Sequence, residues 1–192
     1  MSALGFERAA APLFFVPSDA PTRARFLDCE KCSVDLARSL ISKWHSRLPK
    51  TQPAPWMHSF RAHYNDTTYA VALWNNPSAR TLPNDWIELR RMAVASDAPH
   101  CTASWFLAAM EKWIRENTNH PVMISYQDTA VHAGTIYKAA GWVATNRTKY
   151  RVRDRSKLRP NGRIYRKKQH GVEVDASEKV RWQKTLILEA AE

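Results

Sequence analysis

Apolar residues recur at helical spacing in three stretches of the chain and alternate or run together in several others. Val34, Leu36, Leu40, Ile41 and Trp44 follow Ser33, a residue suited to capping a first turn, and predict a helix over 33–47. "HSFRAHYNDTTYAVALWNNP" alternates and breaks at Asn65-Asp66, which predicts a hairpin whose second, more apolar strand covers 69–74. "DWIELRRMAV" is a strand by its alternation, with Trp86, Glu88, Arg90 and Met92 on one face and Ile87, Leu89, Arg91 and Ala93 on the other. "SWFLAAMEKWIREN" lines up Phe106, Met110, Trp113 and Ile114 as the stripe of the longest helix, with Ser104 at its start. "PVMISYQD" is short, apolar and bounded by Pro121 and Asp128, as a buried strand would be. "HAGTIYKAAGW" reads as a helix stopped near Gly141. The final "ASEKVRWQKTLILEAAE" has apolar residues at 180, 182, 186, 187 and 188 and predicts a short helix or strand docking on the body.

Strands and helices therefore alternate in an α/β (α+β) order with no internal repeat. At 192 residues they fit one domain with tails. A hydrophobic fraction of 44% excludes a wholly disordered chain. No apolar run approaches the length of a membrane span, and "AAAPLFFVP" lacks a basic lead and meets Pro17, so the expectation is a soluble cytoplasmic protein with no membrane partner. Cys29, Cys32 and Cys101 form one C-x-x-C pair without the second pair that a tetrahedral zinc site needs. Reduced thiols are the simpler reading, and "DCEKCSVDLARSL" serves as the lead into the first helix.

Charge changes the picture more than composition does. The formal net charge is +11, and residues 149–171 hold ten Lys or Arg against one acidic residue, Asp154. Arg151, Arg153, Arg155, Lys157 and Arg159 alternate, so an extended chain would turn all five toward one side and could track phosphates. A turn at Asn161-Gly162 then leads to Arg163, Arg166 and Lys167. Tyr150 and Tyr165 could stack on bases. Nucleic acid is the partner class this arm suggests, double-stranded DNA among its forms, and a solvated, like-charged tail is the simpler alternative.

Two ordered motifs narrow the reading. The loop-to-helix turn after a central strand, followed by "Y-x-x-A-G-W", resembles the acyl-CoA-dependent N-acyltransferase (GNAT) fold over about residues 33–153. "ELRRMAV-x-x-DAP-x-x-x-x-S" with "SYQD-x-x-x-H-x-G-T-I-Y-K-A-x-G-W" is more narrowly similar to the Mom family, phage proteins on this fold that convert adenine in DNA to its N6-carbamoylmethyl form and so protect phage DNA from host restriction. The resemblance implies a mixed, mostly antiparallel sheet flanked by helices. The expected organisation is an N-terminal extension (1–25), a catalytic domain (26–153) and a basic arm with a terminal segment (154–192).

The resemblance further implies a donor bound at the long helix's N-terminus, through Val94, His100, Thr102, Ala103 and Ser104, although "SDAPHCTAS" lacks the glycines usual in that loop. Tyr137 matches the tyrosine that protonates a departing thiolate, with a buried structural tyrosine as the alternative. Asp128, ending an apolar strand, could orient or deprotonate an amine, or simply cap the next helix. His132 could move a proton, bind metal or face solvent. Gly134 permits a close approach, and only one of Ser125 and Tyr126 should line a pocket. His45 could enter from the first helix, and Arg90 could meet a phosphate or pair with Glu88.

An adenine must leave the duplex stack to react, and Trp56, Trp74 and Trp142 are candidate walls for it. The carbamoylmethyl connectivity calls for more than acyl transfer from acetyl-CoA: an activated glycyl group, with glycyl-tRNA as one donor, could acylate N6 and then rearrange. An iron-assisted route through His and Asp ligands stays open. So do two other functions, acetyl transfer to a tRNA, protein or small amine, and DNA binding without catalysis.

Overall fold

The computed structural model describes residues 20–45, 49–51, 55–148 and 178–186. Seven strands form one sheet in the order β1-β2-β3-β4-β5-β7-β6, where β1 is Asp28–Lys31, β2 His58–Tyr64, β3 Thr67–Asn75, β4 Ile87–Val94, β5 Val122–Asp128, β6 Val143–Thr148 and β7 Lys179–Thr185. All neighbours are antiparallel except β4 and β5. The expected mixed, mostly antiparallel sheet is present, with α1 (Val34–Trp44), α2 (Thr102–Asn117) and α3 (Thr135–Ala139) around it. The basic arm expected at 151–171 lies outside the described residues, with Arg151, Arg153, Arg155, Lys157, Arg159, Arg163, Arg166 and Lys167.

Local signals place most elements. The Ser33 side chain accepts the N–H of Leu36 and caps α1. Asn65 takes φ 50° in the two-residue β2–β3 turn, and Gly141 takes φ +71° just after α3. Two helical faces bury the sheet from opposite sides. Ala37 and Ile41 of α1 pack on Val71, Leu73 and Ala93. Phe106, Leu107, Met110 and Ile114 of α2 join Ile87, Leu89, Met123 and Trp182 in the larger core.

Three features depart from the sequence reading. The segment leading into α1 contains β1, a strand paired with β2 at the sheet edge. Residues 179–185, grouped with the C-terminal arm, form β7 between β5 and β6, so the sheet of the body extends beyond residue 153. β4 does not alternate throughout: Leu73 faces Arg91 and Trp74 faces Leu89, leaving Arg90 as an extra residue in a bulge. A bulge inverts the parity of the strand beyond it. Ile87 and Leu89 therefore share the α2 face with Met92 and Val94, and Arg91 and Ala93 lie on the α1 face with Leu73.

Candidate active site

The two parallel strands pair only at Ile87↔Met123, Glu88↔Ile124 and Leu89↔Ser125, then diverge. Backbone groups of residues 90–94 and 126–128 thus border an opening through the sheet rather than a β4–β5 ladder. The opening is a cleft of about 610 Å³. Strand alternation divides its walls: Ser125 and Gln127 point to the α2 face with Met123, and Tyr126 and Asp128 to the α1 face. Ser125 and Tyr126 both border the cleft, contrary to the expectation that only one would, because the opening passes between the strands and is reached from either face.

On the α2 face Tyr137 is held from several sides. Its ring stacks on Trp182, with centroids 5.4 Å apart and planes 12° apart, and Trp142 packs at 5.7 Å. Its hydroxyl lies 2.9 Å from Ser125 Oγ, which also donates to Leu89 O at 3.3 Å. Burial pushes the phenol upward, and the Ser125 hydrogen bond works in the opposite direction. The phenol stays protonated at neutral pH and can donate a proton into the cleft.

Gln127 ties this wall together. Its Oε1 accepts Trp182 Nε1–H at 2.7 Å, and its Nε2 donates to His132 O. Gly134, at φ +75°, passes so close that a Cβ there would sit 2.5 Å from Gln127 Oε1 and 2.7 Å from Trp182 Cζ2. The close approach expected of Gly134 is to these two side chains. No local pattern marks Gln127; its partners are five and 55 residues away.

The α1 face is charged. Asp128 ends β5, where its Oδ1 accepts Ala130 N–H at 3.1 Å and its carbonyl accepts the N–H groups of Val131 and His132. It organises the loop before α3 and is not that helix's cap, which is Gly134. His45 closes α1, and burial, then Arg91 and His132, lower its pKa. Arg90 donates to Asn76 O and reaches Glu88 only loosely, at 3.9 Å. Both Glu88 oxygens are occupied by the hydroxyl of Ser78, and one also by its N–H. Tyr126 is raised chiefly by burial, and also by Glu88, against the opposing effect of Arg181.

The expected donor loop is only partly at the cleft. Val94 and Ala103 border it; His100, Thr102 and Ser104 do not. Cys101, not Ser104, occupies the N-cap of α2, at φ +67°, the conformation a glycine would adopt without strain. Thr102 is buried and spends its N–H and hydroxyl on Pro99 O, and the Ser104 hydroxyl donates to Cys101 O within the helix. None of the three tryptophans expected as a wall borders the cleft: Trp74 is buried with its N–H on Met110 Sδ, Trp142 backs Tyr137, and Trp56 packs beneath α1. Trp44 takes that position instead.

Cys29 and Cys32 are free thiols that burial pushes to about 12 and 11, which makes them poor thiolates. Among the described residues no cluster of three or more His, Cys, Asp or Glu is arranged to hold a metal, so the iron-assisted route finds no such ligand set there. Among the same residues no helix is long and apolar enough to cross a membrane.

A parallel strand pair splayed open beside the N-terminus of a long helix, with a buried tyrosine across the gap, defines a GNAT-type fold. Solved structures bear this out. The Escherichia coli ribosomal-protein-S18-alanine N-acetyltransferase superposes with a TM-score of 0.54 at 11% identity, covering 85% of this chain and 96% of that one. A Bacillus subtilis acetyltransferase in complex with CoA gives 0.54 at 13%, covering 84% and 99%. The ribosomal-protein-S5-alanine acetyltransferase of Vibrio fischeri gives 0.52 at 10%, covering 83% and 93%. Within this fold the chain belongs to the Mom protein family, whose model matches residues 61–191. No curated protein matches it.

Proposed function

We propose that this chain modifies the exocyclic N6 of adenine in DNA, yielding N6-carbamoylmethyladenine, and thereby shields phage DNA from host restriction in the host cytoplasm. The observation that carries this reading is the two-sided cleft of a Mom family member: the buried Tyr137 hydroxyl on the α2 face and a carboxylate, Asp128, on the α1 face. A donor enters from the α2 side and a flipped adenine from the α1 side, beside Trp44.

Coenzyme A fits the donor side. Its pantetheine amides would meet the strand edges left unpaired beyond Leu89 and Ser125, and Val94 and Ala103 border the slot. When bound, the group supplies an activated carbonyl. Asp128 then orients the N6 amine and takes its proton as the N–C bond forms, and Tyr137 gives a proton to the departing group. Adenine N6 is a weak nucleophile, so the rigid placement of both groups carries much of the rate.

The carbamoylmethyl product follows from an activated glycyl group, carried as a thioester or as glycyl-tRNA. Acylation of N6 leaves a free glycyl amine; that amine attacks C6, the C6–N6 bond breaks, and the former N6 becomes the terminal amide. Every atom is retained. Isotope-labelled glycine should therefore appear in the modified base.

Expression in a bacterium, digestion of plasmid DNA to nucleosides and mass spectrometry test the reading directly. A carbamoylmethyl addition to deoxyadenosine, lost in Asp128→Ala, supports it. Folded protein without such a product overturns it and favours the second reading, acetyl transfer to an amine, which the acetyltransferase neighbours support and which acetyl-CoA turnover would reveal.

A further inference from the structure

Beyond the bulge in β4, Arg91 faces α1, and its Nε is shielded from solvent without a hydrogen-bond partner among the described residues. A purely structural guanidinium has its donors satisfied, because an orphaned buried N–H forfeits its hydration. Arg91 spends Nη1 on Arg90 O and leaves Nε unmatched.

Its surroundings add basic side chains, with Glu88 the carboxylate that acts on it. Arg90 precedes it on β4, His45 approaches from α1, and His132 from the β5–α3 loop is close enough to act on His45. Lys179 of β7 borders the same cleft. The facing carboxylates are already engaged: both oxygens of Glu88 bind Ser78, and Asp128 Oδ1 holds the Ala130 N–H. Burial first, and then Arg90, lowers the pKa of Arg91, against the opposing effect of Glu88.

We propose that Arg91, with His45 and His132 beside it, forms a phosphate seat on the α1 face that holds a phosphodiester next to the reacting adenine. This deepens the adenine-modification reading and rests on it for the identity of the nucleic acid. A fork of N–H donors matches phosphate oxygens. The seat lies across the sheet from the N-terminus of α2, so its phosphate belongs to the acceptor rather than the donor. A seated phosphate fixes the flipped nucleotide relative to Asp128.

The test uses the full chain labelled with ¹⁵N-arginine, the Arg91 Nε–H signal being assigned by its loss in Arg91→Lys. A short single-stranded DNA carrying one adenine should shift that signal. The same DNA with uncharged methylphosphonates flanking the adenine should not, nor should coenzyme A. Affinity should fall about tenfold in Arg91→Met and recover partly in Arg91→Lys, both confirmed as folded by circular dichroism.

A shift with coenzyme A but not DNA would assign the seat to the donor and overturn the proposal. An unchanged signal, a response to inorganic phosphate alone, or an equal response to the methylphosphonate DNA would overturn it too. The readout is binding, so a DNA-induced shift without any modified adenine would leave the seat standing and reject the adenine chemistry alone.

Discussion

Tyr137 and Arg91 border the same cleft from opposite faces of the sheet, and they are held in opposite ways. Tyr137 is stacked on Trp182, backed by Trp142 and hydrogen-bonded to Ser125. Arg91 lies beside Arg90 with one buried donor unmatched among the described residues. The first arrangement is complete without a ligand; on the proposed reading it positions a proton donor, and the second becomes complete when an anion arrives. A transfer enzyme gains from this division, because the proton donor must be pre-organised whereas the acceptor strand must be captured and released.

The largest effect that would break the comparison is on turnover. Tyr137→Phe keeps the ring stack and removes only the hydroxyl. Formation of modified adenine should fall about 100-fold, within the usual range for a general acid, and the melting temperature should change little. If the rate survives, the α2 face is packing alone.

Next is the frame behind it. Gly134→Ala forces a Cβ against Gln127 and Trp182 at a positive φ and should destabilise the protein by about 2 kcal/mol or more in urea unfolding. Stability within experimental error of the parent would mean that the loop rearranges freely.

A smaller effect concerns acid. Burial, with Lys31 and His120 nearby, lowers His58 to about 4, and neither of its ring nitrogens has a hydrogen-bond partner among the described residues. Its folded pKa lies below the unfolded value, so the unfolded chain takes up the proton first and stability falls as pH drops from about 6.5 toward 4. After allowance for solvent screening the loss is about 1 kcal/mol. Melting curves between pH 7 and 5 should shift less in His58→Gln than in the parent.

The smallest effect sharpens the comparison. Ser125→Ala removes the hydrogen bond that lowers the Tyr137 phenol, so the alkaline limb of the pH–rate profile should move upward. The accompanying loss of stability should be only about 1 kcal/mol. An unmoved limb would detach Ser125 from the proton donor.

Much of this architecture was legible where the signal is local. Ser33 announces the start of α1, Asn65-Asp66 the hairpin, and Pro121 and Asp128 the limits of β5; each acts through backbone conformation within a few residues. Asp128, Tyr137, Ser125, His132, Gly134, His45, Arg90 and Tyr126, each a candidate in the sequence, all border one cleft. Ser104, Thr102 and His100 do not, because α2 begins at Thr102, two residues earlier than its apolar stripe suggests, and the first turn spends these groups on itself.

By itself, then, the sequence determined the strands and helices, the family and most of the side chains around the cleft, since hydrophobic period, turn chemistry and motif spacing are properties of short segments. The tertiary structure decided which face each side chain serves. A single extra residue at Arg90 reverses the parity of β4, and β7, arriving from beyond the basic segment, brings Trp182 against Tyr137 and Gln127. Both depend on pairing between distant strands, where the register of the partner, and not the local pattern, chooses the outcome.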